Sequence, residues 1–358
     1  MSVAAVHDEV ARGWLSDGRA VAQGLLVAVE GSSPLEPGAT MLVDSGGAIE
    51  GSVSGGCVES AVAQEAMALL GAADGDRRPR LRRFGISDEL AGGVGLTCGG
   101  IVEVLIHAIA DPAPALAFLE ATTGALATVV DGPRAGAQLA LVDGTLTGAP
   151  LHPNIVRDLR GAARTGVRRY GADGSTLGAD VRVFFAVRAP RPRLAIVGAT
   201  DFSAALAPLA RAIGWDVAIC DPRSAFARSD RFARAADVTV AAPGPWVTAT
   251  GLGPSDALLV FSHDPKHDEP ALLAGLASDA GFVGALGSRR TDAGRRDRLR
   301  AAGATAAQLT RLHSPCGLDI GARTPDETAV SVLAEIVATR TGRPGTPLRR
   351  TSEPIHPR

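Results

Sequence analysis

The chain is expected to be an α/β protein in two parts: a mixed α/β module at the N-terminus, then a doubly wound parallel sheet. Three observations carry this. From residue 194 onward, short β-branched apolar runs at 194–197, 216–220, 238–241, 257–261 and 282–286 alternate with helix-forming runs at 204–213, 272–277 and 293–302. That alternation builds a parallel sheet with helices on both faces. The first turn of this part, Leu194-Ala-Ile-Val-Gly-Ala-Thr-Asp-Phe-Ser203, stands where a Rossmann phosphate loop belongs, after a first strand and before a helix. Ahead of it, Ala189-Pro-Arg-Pro-Arg193 is a stiff, charged connector. The expected division is therefore 1–188, a linker at 189–193, a Rossmann-like domain at 194–340, and a proline- and arginine-rich flexible tail at 341–358.

The N-terminal part opens with a helix over 3–15, since Val3, Val6, Val10 and Trp14 recur at helical spacing. A strand at 20–30, a turn-rich loop at 31–38, a strand at 41–43 and a hairpin turn at 44–47 follow. Ser32, Ser33 and residues 37–40 lie on loops between strands, where binding residues concentrate, although an ordinary Pro/Gly connector has the same composition. A polar break at 71–79, a strand at 80–84 and a glycine-containing loop at 86–95 come next. A strand at 101–107 and a helix at 111–121 precede short β segments at 125–131, 138–142, 144–148 and 181–187. The last helix is expected at 325–339, opened by Thr324-Pro325-Asp326-Glu327 with acids in its first turn.

Two cassettes carry the most specific chemistry of the first half. Gly51-Ser-Val-Ser-Gly-Gly-Cys-Val-Glu59 and Gly95-Leu-Thr-Cys-Gly-Gly-Ile-Val-Glu103 each place a cysteine beside a Gly-Gly pair with a glutamate beyond. Paired glycines let main-chain N–H groups approach a ligand, and the run after Cys57 is a strong helix former. Cys57 is thus expected in the first helical turn, where the helix dipole favours a bound phosphate or the thiolate itself. Ser54, Gly55, Gly56, Cys57 and Glu59, with Cys98, Gly99 and Gly100, are the candidate ligand-binding residues. The competing reading makes either cysteine a small buried hydrophobe.

Composition narrows the partners. A net charge of −2 over 358 residues gives no electrostatic reason to expect nucleic acid or a membrane surface. Cys57, Cys98, Cys220 and Cys316 never form a CxxC pair, which argues against a zinc ribbon, a dithiol centre or an iron–sulfur cluster. No signal segment or apolar run of membrane-spanning length appears, so the cytoplasm is the expected compartment.

In the second half, Gly198 is the one fingerprint glycine present, with Thr200 and Ser203 at the other positions, and Asp221 follows the second strand where a ribose acceptor belongs. NAD(P) is one ligand such a turn would take; a retained fold with another ligand is the other. Ser262-His-Asp-Pro-Lys-His-Asp268 packs His263 and His267 with two aspartates, a candidate acid/base or metal cluster as well as an ordinary polar cap. Ser288, Arg289 and Arg290 follow the fifth strand, where paired guanidinium donors suit phosphate. The alternative has these arginines fix the C-terminal helix through Asp319 or Asp326.

Taken together, Ser54-Gly-Gly-Cys-Val-Glu59, Cys98-Gly-Gly100, Gly287-Ser-Arg-Arg290, Ser314-Pro-Cys-Gly-Leu-Asp-Ile-Gly-Ala-Arg-Thr-Pro-Asp-Glu327 and Ala329-Val-Ser-Val-Leu-Ala-Glu335 resemble the XdhC/CoxI family over nearly the whole chain. The departures are Thr200 and Asp201, where the family usually carries glycine and histidine, and Cys316, where isoleucine is usual. The resemblance implies an accessory chaperone, not a catalyst, that binds a molybdopterin-type molybdenum cofactor and delivers it to a xanthine dehydrogenase-type hydroxylase. It also implies a cysteine desulfurase as a further partner and a homodimer. The alternatives carried beside it are an NAD(P)-dependent oxidoreductase using the second domain and a small-molecule hydrolase using the His263/His267 cluster.

Overall fold

The computed structural model describes residues 3–72, 77–85, 100–176, 178–228, 230–232 and 236–352. Contacts divide them into two units, 4–190 and 191–352.

The first unit begins with α1 (Val3–Ser16), β1 (Val21–Glu30), β2 (Thr40–Asp44), β3 (Ile49–Gly51), α2 (Glu59–Leu70), β4 (Arg80–Phe84) and β5 (Ile101–Ala108). These five strands form an antiparallel sheet in the order β3-β2-β1-β5-β4. Helix α2 covers one face, burying Val62, Ala66 and Leu69; Val62 and Ala66 join Leu26, Met41, Val43 and Val104 in one core. A second antiparallel sheet follows, with α3 (Ala113–Glu120), β6 (Gly124–Val129), β7 (Gln138–Val142), β8 (Thr145–Gly148), α4 (Pro153–Arg160), β9 (Gly166–Tyr170) and β10 (Val181–Arg188), ordered β8-β7-β6-β10-β9. Helix α4 lies in a region whose composition reads as β; Pro153 opens it and His152 caps it by accepting from the Asn154 amide. Leu25, Val27 and Leu105 of the first sheet meet Phe184 of the second in a shared apolar cluster.

The second unit is a six-stranded parallel sheet ordered β13-β12-β11-β14-β15-β16. Along the chain run β11 (Arg193–Val197), α5 (Asp201–Ala212), β12 (Asp216–Cys220), α6 (Ser224–Ala227), β13 (Asp237–Thr239), α7 (Pro243–Thr250), β14 (Ala257–Val260), α8 (Pro265–Ala277), β15 (Phe282–Ala285), α9 (Arg289–Ala301), α10 (Ala306–Thr310), β16 (Leu312–His313) and α11 (Pro325–Thr341). The central strands β11, β14 and β15 bury almost all their side chains on both faces, as their continuous apolar runs require, whereas the edge strand β13 stays largely exposed. Helix α11 carries the capping box expected from Thr324 and Glu327, and extends two residues beyond 339. Thus the fold is mixed α/β with a Rossmann-like parallel sheet in its C-terminal half. Among the described residues no helix is long and apolar enough to cross a membrane.

Candidate functional site

The first cassette is a loop folded around its own glutamate. Helix α2 starts at Glu59, with Val58 as N-cap; Cys57 therefore precedes the helix and does not sit in its first turn, correcting the expectation. The carboxylate of Glu59 turns back onto the loop. It accepts from the amides of Val53 (3.2 Å), Ser54 (2.8 Å), Gly55 (3.1 Å), Gly56 (2.8 Å) and Val58 (3.1 Å), and from the Ser52 and Ser54 hydroxyls. Burial alone would raise its pKa, but the Ser52 and Ser54 donors outweigh that and hold it down at about 2. The nest of N–H groups that would suit a ligand's phosphate is thus filled by the chain itself. Cys57, half-buried and not in a disulfide, packs beside the core of the first sheet next to the exposed Gly55 and Gly56, with its amide donating to the Ser54 hydroxyl at 3.0 Å.

The 31–40 loop gathers both cassettes. A Cβ on Gly55 would lie 3.5 Å from Pro34, and one on Gly100 only 2.0 Å from the Ser32 carbonyl oxygen, so Gly100 admits no side chain. Cys98 and Gly99 lie outside the described residues, as does the whole 86–95 loop. Gly51, with φ +82°, is equally constrained: a Cβ there would meet the Thr40 carbonyl oxygen at 2.3 Å and the His7 ring at 2.6 Å.

His7 and Thr40 lead from the cassette to a cavity of about 500 Å³. Its walls come from both sheets of the first unit, with Leu25 and Leu42 on one side and Leu126, Phe184 and Ala186 on the other. Residues 36–40 contribute to its lining, whereas Cys57 does not. Of this lining, sequence reasoning offers only residues 37–40 as pocket candidates; it misses the rest because they are drawn from residues 7 to 188. The available signals were Gln23, His107 and Thr128, polar residues inside otherwise apolar strands.

In the second unit the three predicted rims do stand at the carboxyl ends of parallel strands: the turn at 198–203 after β11, 262–268 after β14, and 287–291 after β15. Gly198 (φ +108°) is required there, because a Cβ would come within 2.8 Å of the Ser262 nitrogen. The turn's polar groups, however, are bonded internally. Asp221 is fully buried; its carboxylate accepts from the Ala199 amide at 2.8 Å and from the Arg223 amide and guanidinium. Burial pushes its pKa up, but these donors more than offset that and lower it. Asp221 is therefore not presented as a ribose acceptor, contrary to its sequence position. Thr200 caps α5 by accepting from the Ser203 amide, and the Ser203 hydroxyl donates to the Gly198 carbonyl. The two residues that replace fingerprint glycines serve the turn itself.

The 262–268 segment is a helix N-terminus, with Asp264 accepting from the Lys266 amide. His263 is exposed at φ +60°. Asp268 is buried, accepts from the Ser262 hydroxyl and lies 3.9 Å from Arg295; desolvation raises its pKa. Among the described residues no three His, Cys, Asp or Glu side chains converge as a metal site. Ser288 caps α9 by accepting from the Thr291 amide. Arg289 and Arg290 are exposed, and no ion pair joins them to Asp319 or Asp326. The structural arginine is Arg295, 2% exposed, donating to the Leu286 carbonyl (2.8 Å) and the Ser314 hydroxyl (2.6 Å). Composition could not single it out within Arg289–Ala301, a helix with six arginines.

The profile of the XdhC and CoxI family matches residues 14–85, and that of the XdhC Rossmann domain matches 194–336. A Bacillus subtilis (strain 168) protein described as a probable subunit of xanthine dehydrogenase is 31% identical over 335 residues, spanning 91% of this chain and 95% of its own. The chain belongs to the XdhC and CoxI family. The molybdenum cofactor insertion chaperone PaoD of Escherichia coli (strain K12) is 28% identical over 329 residues, 91% of this chain and 85% of PaoD. A crystal structure described as a xanthine dehydrogenase from Bacillus halodurans superposes with a TM-score of 0.72 across 98% of both chains at 22% identity. This last likeness speaks to the fold of this XdhC and CoxI family member alone.

Proposed function

We propose that this protein is an accessory factor in molybdoenzyme maturation, which binds a molybdopterin-type cofactor as cargo and passes it to a xanthine dehydrogenase-type hydroxylase. The naming of PaoD and of the B. subtilis relative supports the class of role. The observation that carries the site is Cys57, a half-buried cysteine outside any disulfide, held at a loop that Glu59 clamps through seven donors. A thiolate is a soft ligand suited to a thiol-rich metal group. Since the loop's amides are already taken, a phosphate on the cargo is recognised elsewhere. The second unit, taken by itself, offers Arg289 and Arg290, exposed beside the Ser288 cap, to an acidic surface of the client.

The chain's own work in this reading is to hold the thiol fixed and release the cargo to its client. Molybdenum content of purified protein tests it: Cys57→Ala is expected to fold normally and carry less molybdenum than the parent. Equal retention by both would remove Cys57 from the site.

A further inference from the structure

We propose that the cavity between the two sheets of the first unit binds an uncharged, planar, fused-ring heterocycle with a carbonyl or ring-nitrogen acceptor, chemistry shared by a pterin and a purine such as hypoxanthine. The pterin source rests on the cofactor-handling reading above; the purine source does not.

The volume, about 500 Å³, lies within the range of roughly 300–1,000 Å³ typical of small-molecule sites. Leu25, Leu42, Leu126 and Phe184 offer apolar surface to the faces of a ring. Polarity is confined to particular places. At one, Gln23 and Thr128 line the cavity in front of a buried network. His107 approaches the Gln23 carbonyl oxygen at 3.1 Å, and the Gln138 amide donates to that oxygen and to the Thr128 hydroxyl, both at 3.3 Å. Burial pushes His107 down to about 4, so it is neutral at pH 7. We assign the ring proton to Nε2, so that His107 donates to the Gln23 carbonyl oxygen beside the Gln138 amide. With its oxygen taken by two donors, Gln23 has its –NH₂ group to offer, and Thr128 its hydroxyl proton. Neither donation is used by another described residue, and both call for an acceptor on the ligand.

The charged lining argues against an anion. Arg188 is already paired with Asp8 at 2.9 Å, and Glu36 adds a further negative charge. The cavity also adjoins the cassette, because Gly51 packs directly against its lining residues His7 and Thr40.

The test is calorimetric titration of the full-length protein with metal-free pterin and, separately, with hypoxanthine. Saturable binding of at least one is expected, about 2- to 13-fold weaker in Gln23→Leu from the loss of one hydrogen bond, and abolished in Ala186→Phe, which fills the space. Pterin binding alone would make the cavity a seat for the cofactor's ring, and hypoxanthine binding alone a seat for the purine class. Binding of neither, or undiminished binding in a folded Ala186→Phe variant, would overturn the site. Should Ala186→Phe not fold, hydrogen exchange on the parent decides: ligand-dependent protection at residues 21–26 and 124–129 supports the proposal, and protection only elsewhere refutes it. Failure here with Cys57-dependent molybdenum retention intact would remove this site and leave the cofactor-handling reading standing.

Discussion

Replacing Glu59 by glutamine tests how the cassette is held. The carboxylate takes seven hydrogen bonds from its own loop and sits at about 2 against an ordinary 4.5. That difference corresponds to about 3 kcal/mol at roughly 1.36 kcal/mol per pH unit. The side chain is only partly buried, so solvent screening reduces this to about 1–2 kcal/mol. In a unit of this size the loss lowers Tm by about 2–8 °C. The sign with pH follows from linkage. A depressed carboxyl stabilises fully above its unfolded value of 4.5, and the contribution disappears as pH falls from 4.5 toward 2. Urea unfolding of parent and Glu59→Gln at pH 7, repeated at steps below pH 5 while the parent stays folded, should show a stability gap that narrows with acidification. Equal stability at pH 7, or a gap that stays constant on acidification, would refute the clamp.

Gly198→Ala should destabilise the second unit by about 2–5 kcal/mol, because it adds both a strained φ and a clash with Ser262; a denaturant midpoint equal to the parent's would contradict the close approach. Arg295→Met should cost about 3 kcal/mol by leaving Asp268 unpaired in the interior and the Leu286 carbonyl without its donor. Because the raised Asp268 carboxyl is the group left uncompensated, that deficit should be smaller at pH 4 than at pH 8 in the same unfolding assay.

Much of the architecture was legible because periodicity and punctuation agreed. The parallel sheet announced itself through apolar runs separated by helices, and α11 through its Thr324 to Glu327 cap. Helix α4 was not legible: Ile155 and Leu159 are its only buried residues, too few to set a helical period against glycine-rich surroundings. Nor could strand pairing be read, since β1 chooses β5 across some 80 residues, a choice fixed by tertiary packing. At the site, the Gly-Gly pair was legible as a loop, but Cys57 was expected one turn too far along, inside the helix, and the reversal of Glu59 onto the loop was not foreseen. A carboxylate beside an N-terminal cap was the available signal. Asp221 was misread as a ribose acceptor and Arg295 was not singled out, because whether a charged side chain turns inward depends on the partners the fold brings to it. The cavity has no motif, because its wall residues are scattered along the chain from residue 7 to residue 188.

The central claim is transfer of cofactor through the Cys57 loop, and the most direct measurement is activation of a cofactor-free xanthine dehydrogenase-type client by purified protein carrying molybdenum. The account expects the parent to restore client activity and to lose its molybdenum in step, while Cys57→Ala, folded to within about 0.5 kcal/mol of the parent, restores much less. Equal activation by both proteins, or no activation by a parent that demonstrably carries the cofactor, would contradict it.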